Sequence, residues 1–213
     1  SRYGNPTVKM FEDRLAAIEG GQKCFATSTG MAAVFSSMMC FLEQGDKIVA
    51  SRALFGSCYQ ILTKVFPKYG INTTFVSGKN ISEWEEAIDK NTKAVFFETP
   101  SNPTLEIIDI SAVSKIAKKV GAKVIIDNVF ATPILQKPLE LGVDIVIYSG
   151  TKHIDGQGRA LGGAIISDKE YYEKYLKPYM RHTGASLSPF NAWIMLKGLE
   201  TLKLRVEHQS DSA

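Results

Sequence analysis

The chain has 213 residues, 45% of them apolar and 22% charged, with a formal net charge of +3 and no basic run. That size and balance suit one large globular core and exclude disordered and fibrous classes, while the mild, scattered charge gives no nucleic-acid surface. No stretch approaches the ~18 uninterrupted apolar residues that a membrane helix needs, and three widely spaced cysteines, Cys24, Cys40 and Cys58, read as reduced thiols of a cytoplasmic protein.

Asn5-Pro6 caps a first helix, with Pro6 at its first position. Val8, Phe11, Leu15 and Ile18 recur on one face, and Gly20-Gly21 stop it. A strand over 23–27 leads into Ser28-Thr29-Gly30, which opens a helix over 31–43. A strand over 46–51, a helix over 56–69 weakened at Pro67, and a strand over 72–77 follow. Ser82-Glu83-Trp84-Glu85 reads as a capping box for a short helix ending at Lys90. A strand over 93–98 breaks into a turn over 99–103, and Asp109 or Ser111 caps a helix running to Val120. Strands over 123–127, 144–148 and 164–167 come next, and helical patterns resume at Asp168 and Ser188. Strands alternating with helices imply an α/β fold whose sheet is mostly parallel, with helices on both faces. Gly and Ser collect between Arg181 and Pro189, and a long last helix over 188–213 is expected to lead toward a second domain. With no initiator methionine and a charged, helix-like end, the chain reads as a piece of a longer protein.

In an open α/β sheet, ligands sit beyond the carboxyl ends of the strands. Several candidates fall there. Val143 to Tyr148 is a β-branched run that breaks into Ser149-Gly150-Thr151 and then Lys152. A lysine just past a buried strand needs a partner or a task. Hydroxyls at Ser149 and Thr151 can hold a phosphate beside it, a pairing that suits an amine attacking a carbonyl cofactor. Thr29-Gly30-Met31 opens a helix whose free N–H groups suit a phosphate. Glu98 and Asn102 follow the fourth strand, and Asp127 and Asn128 end the next. Phe55, before Gly56 in a loop after a strand, is the aromatic candidate for a cofactor face. Singly, each has a plainer reading as a turn, a cap, a core ring or a surface lysine; their convergence on one edge carries the argument. His153, His182 and His208 have no metal-ligand spacing. S-T-G-M-A-A after the first strand is not the G-x-G-x-x-G of a dinucleotide fold.

Five motifs, S-R-Y-G-N-P-T at 1–7, S-T-G-M-A-A at 28–33, F-F-E-T-P-S-N-P at 96–103, I-I-D-N-V-F-A-T-P at 125–133 and S-G-T-K-H at 149–153, stand in an order and spacing that resemble one family along the whole chain. It is the family of pyridoxal-phosphate enzymes of cysteine and methionine metabolism. The resemblance implies the aspartate-aminotransferase-like (type I) fold. Residues 1–213 would form its pyridoxal-phosphate domain, with the N-terminal arm over 1–7 truncated and the C-terminal domain absent. Lys152 is implied to bond to the cofactor's aldehyde carbon and to move protons between substrate carbons. Asp127 is implied to pair with the pyridinium nitrogen. Thr29, Gly30, Met31, Ser149 and Thr151 would hold the phosphate, with Arg2 supplied by the neighbouring subunit of a homotetramer. Asn102 would lie on the phenolic side of the ring, and Phe55 would cover it where most relatives have tyrosine. Phe55 and the run K-H-I-D-G-Q-G-R-A-L-G-G after the lysine are similar to the homoserine-ester sulfhydrylase type. The implied reaction is replacement of the ester of O-succinylhomoserine or O-acetylhomoserine by sulfide, giving homocysteine. Cystathionine γ-synthase, a cystathionine or methionine lyase, and a non-catalytic truncated subunit remain as alternatives. The chain by itself is expected to be inactive. Arg159 reads either as a contact for an acidic ester tail or as a surface arginine.

Overall fold

A computed structural model describes residues 3–213. Seven strands among the described residues form one sheet: β1 (Lys23–Thr27), β2 (Lys47–Ser51), β3 (Asn72–Val76), β4 (Thr92–Glu98), β5 (Lys123–Asp127), β6 (Ile145–Ser149) and β7 (Gly163–Ser167). Their spatial order is β1-β7-β6-β5-β4-β2-β3. Strands β3, β2, β4, β5 and β6 pair in parallel, and β7 runs antiparallel to both β6 and β1. Strand β7 therefore begins at the edge where the other six end.

The helices are α1 (Pro6–Glu19), α2 (Gly30–Met39), α3 (Gly56–Gln60), α4 (Ile81–Ala87), α5 (Ile110–Lys119), α6 (Thr132–Leu135), α7 (Lys169–Tyr171), α8 (Lys177–Thr183), α9 (Pro189–Glu200) and α10 (Leu202–Ser212). Alternation along each strand sends neighbouring side chains to opposite faces. Val49, Val95, Phe97, Ile126, Val146 and Ile166 join a core with α1, α4, α5, α9 and α10. Ile48, Ala94, Phe96, Ile125, Ile147 and Ile165 join a second core with α2, α3 and the 172–180 segment. Both faces are thus buried, as near-continuous apolar strands require. No described helix is long and apolar enough to cross a membrane.

The caps explain most element ends. Asn5 Oδ1 accepts from Thr7 and Val8 N–H, and Gly20 closes α1 in the left-handed region. Helix α4 differs from expectation. Asn80, not Ser82, is its cap, and the Glu83 carboxylate accepts the Ser77 N–H at 2.8 Å. Within this helix Trp84 is buried, and its indole N–H donates to the Gly78 carbonyl. The helix expected over 188–213 is divided at Thr201, whose backbone (φ −113°, ψ 5°) leaves the helical region.

Helix α9 meets the segment after β6 backbone to backbone at Gly198, beside the packing of its Met195 side chain on Gly150. A Cβ built on Gly198 would lie 2.1 Å from the Ile154 carbonyl oxygen. Gly198→Ala is therefore expected to destabilise the fold by about 1–3 kcal/mol, because two backbones must separate. A thermal melt should show it as a midpoint lowered by several degrees, and an unchanged midpoint would contradict this close approach.

Candidate active site

Period-two alternation places three strand-end groups on one side of the sheet. Phe96, Ile125 and Ile147 face the α2–α3 core. The residues two further on, Glu98, Asp127 and Ser149, point the same way at the edge. Glu98 and Asp127 are direct neighbours in the β4–β5 register.

These groups open onto a cavity of about 250 Å³. Thr29, Gly30, Met31, Phe55, Asn102, Asp127, Ser149, Thr151 and Lys152 all line it. Every candidate site residue is thus brought to one place except Arg2, which lies outside the described residues. Glu98, Val34, Val129 and Leu161 complete the wall. Val34 is one turn into α2. Leu161 is carried in only because β7 returns antiparallel, a pairing that its local sequence does not announce. Glu98 was legible as a strand end but had no role.

Local structure sets each position. Thr29 caps α2 by accepting the Ala32 N–H at 3.0 Å, which leaves the N–H groups of Gly30 and Met31 free of intrahelical acceptors. A Cβ on Gly30 would lie 2.7 Å from the Ser149 Cβ, so glycine is what lets α2 approach β6. The Thr151 hydroxyl makes only long bonds to the Gly162 backbone, at 3.3 and 3.4 Å. Lys152 departs from helical geometry (φ −93°, ψ −117°) inside the turn Gly150–Ile154. Its neighbours are fixed: the Gly150 N–H donates to Gly162, the Asp155 N–H to Gly150 and the Gly156 N–H to Lys152. The Arg205 guanidinium of α10 donates to the carbonyls of His153 at 2.8 Å, Ile154 at 3.4 Å and Gly198 at 2.8 Å. Lys152 is exposed, because it stands past the end of β6 at the rim of the cavity.

Asp127 is the electrostatic centre. Burial first, and then the charge of Glu98, push its carboxyl up to about 7, and the Val129 N–H at 3.0 Å opposes them. It makes no ion pair among the described residues. Behind it, on the opposite face, Asn128 donates to the Tyr148 hydroxyl at 2.6 Å and accepts from Gln136 at 2.7 Å. Tyr148 in turn donates to the buried Glu19 carboxyl, which burial raises to about 7. This chain of bonds ties β5, β6 and α1 together beneath the cavity. Phe55 is 43% exposed. Arg159 does not line the cavity. Its Nε donates to Asp155 Oδ1 at 2.9 Å, so an i,i+4 pair within its own loop already uses it.

Comparison with known proteins places relatives of one family beside this chain. The chain is 57% identical over its full length to O-succinylhomoserine sulfhydrylase of Mycobacterium tuberculosis, covering 52% of that protein. It is 46% identical to O-succinylhomoserine sulfhydrylase of Pseudomonas aeruginosa, covering 53% of it. It is also 40% identical to L-methionine gamma-lyase of Fusobacterium nucleatum, covering 54% of it. The chain therefore spans about half the length of the curated relatives it matches. The crystal structure of metB from Corynebacterium glutamicum superposes with a TM-score of 0.93 at 35% identity, over all of this chain and 58% of that one. The sequence model of the Cys/Met metabolism PLP-dependent enzymes matches residues 1–213, and on these grounds the chain belongs to that family.

Proposed function

We propose that this chain is the cofactor-binding part of a pyridoxal-phosphate enzyme that replaces the ester of O-succinylhomoserine, or O-acetylhomoserine, with sulfide to give homocysteine. The observation that carries this is the meeting of Lys152 and Asp127 on one cavity wall, at the ends of paired strands. The names of the relatives at 57% and 46% identity support the choice of substrate.

The residues present fit the cofactor. Asp127 is a desolvated carboxyl with one N–H donor and no cation among the described residues. A protonated ring nitrogen supplies the positive partner that such a group lacks. The first turn of α2, with Gly30 pressed against Ser149, offers N–H groups and a hydroxyl to a phosphate. When bound, pyridoxal phosphate supplies an electron sink for bond breaking at the substrate's α and β carbons.

The protein's own part follows from position. Lys152 holds the cofactor through Nζ and, as a free amine, takes and returns protons at the substrate. Asp127 keeps the ring nitrogen protonated. Thr29, Gly30, Met31, Ser149 and Thr151 fix the phosphate, and Arg2 completes that site from the neighbouring subunit of a homotetramer. Asn102, on the cavity wall, would face the ring's phenolic side. Phe55 gives one face of the ring apolar cover without a hydroxyl, so proton transfer falls to Lys152. Residues 1–213 act in this reading as the cofactor domain, with the substrate's carboxylate held elsewhere in the full-length protein.

The full-length protein, given O-succinylhomoserine and sulfide, is expected to release homocysteine, and to leave cystathionine or methionine supplied alone unchanged. Turnover confined to cystathionine or methionine would replace this reading with a lyase.

A further inference from the structure

Glu98 ends β4 and is 4% exposed. Its two carboxyl oxygens are both engaged, and by different loops. Oε2 accepts the Phe55 N–H at 2.9 Å, and Oε1 accepts the Asn102 N–H at 2.9 Å. Phe55 follows β2 and Asn102 follows β4, and both line the cavity. Phe55 stands at the cap position of α3, where no side chain caps the helix, so Glu98 fixes where that helix begins. Glu98 also forms no ion pair among the described residues. A buried carboxyl without a cation is costly unless hydrogen bonds satisfy it, and here both bonds come from the loops that wall the cavity.

We propose that Glu98 is a positioning residue: its carboxylate clamps the Phe55 and Asn102 backbones at a fixed spacing and so sets the width of the slot that receives the cofactor ring above Asp127. This rests on the functional reading given above and deepens it. The clamp needs two acceptor oxygens at that reach. Glutamine offers one, and its amide would set a donor against a backbone donor. Aspartate keeps the charge but is a methylene too short to hold both loops. Position and charge can therefore be separated.

The experiment uses the full-length protein stripped of cofactor and titrated with pyridoxal phosphate. Uptake by the wild type is read first, so a failure of the functional reading is seen before any variant is compared. Glu98→Gln and Glu98→Asp are each expected to bind pyridoxal phosphate about tenfold or more weakly, the scale for losing a hydrogen bond to a charged group. At saturation both should also alter the visible circular dichroism of the bound cofactor, because the ring tilts when its walls part. Wild-type affinity in Glu98→Asp would mean that charge alone matters and would overturn the proposal. So would weakened binding with an unchanged dichroism spectrum at saturation, the mark of a merely structural role.

Discussion

Lys152→Ala in the full-length protein is expected to abolish turnover, by about a thousandfold or more, while leaving the fold intact. The size follows from the lysine's double task. In the proposed function it holds the cofactor and handles substrate protons, and groups that act in several steps give the largest losses when removed. The spared fold follows from the surroundings. The side chain is exposed, and the unusual backbone at 152 is held by neighbouring main-chain bonds and by Arg205, not by the ammonium. Exposed substitutions away from caps and cores stay within about 0.5 kcal/mol. The thermal midpoint of the cofactor-free variant should therefore match that of the cofactor-free wild type, and the visible absorbance of lysine-linked cofactor should vanish. Lys152→Arg should fail equally, since a guanidinium keeps the charge but never yields a free amine. A variant retaining a tenth of the wild-type rate would remove Lys152 from the reaction.

Asp127→Asn is expected to divide stability from function. In the cofactor-free protein the folded carboxyl titrates at about 7, against about 4 in an unfolded chain. Between those values the folded state holds a proton that the unfolded state has released. Stability from this group is therefore full below about pH 4, falls as pH rises, and is lost above about pH 7. Asparagine carries no charge and keeps an oxygen for the Val129 N–H. The cofactor-free variant should equal the wild type near pH 4 and exceed it at pH 8, by up to about 4 kcal/mol. Its affinity for pyridoxal phosphate should nevertheless drop by about a hundredfold or more, as when one partner of a buried charge pair is removed. Urea melts at the two pH values, set beside a cofactor titration, check both halves. A variant less stable than the wild type at pH 8 would show that the carboxyl is not desolvated as described.

Strand ends were the legible part of this chain. Apolar runs of three or four residues mark β2, β4, β5 and β6, and the rule that ligands sit beyond their carboxyl ends already pointed to Asp127, Ser149 and Lys152. What was not legible depended on contacts distant in sequence. Leu161 enters the cavity because β7 turns back between β6 and β1. Glu98 gains its meaning from the N–H of Phe55, on a loop that the local sequence does not connect to it. The cap of α4 is Asn80 and not Ser82 because the Asn80 side chain reaches the Ser82 N–H, while Glu83 is drawn back to the Ser77 N–H before the helix. The exposure of Lys152 was not legible either, for a related reason: a strand's apolar pattern tells how the strand is covered, not how far cover extends past its last residue.

Arg205 belongs to α10, yet it grips the peptide carbonyls of the two residues that follow Lys152. Helix α10 is thereby a brace for the loop that carries Lys152, although no part of it lines the cavity. Anyone trimming this protein to a minimal cofactor-binding unit would be misled by a cut placed at Thr201, where the helical path breaks. Such a unit would keep all seven strands and every cavity-lining side chain and still release the loop on which the amine is mounted.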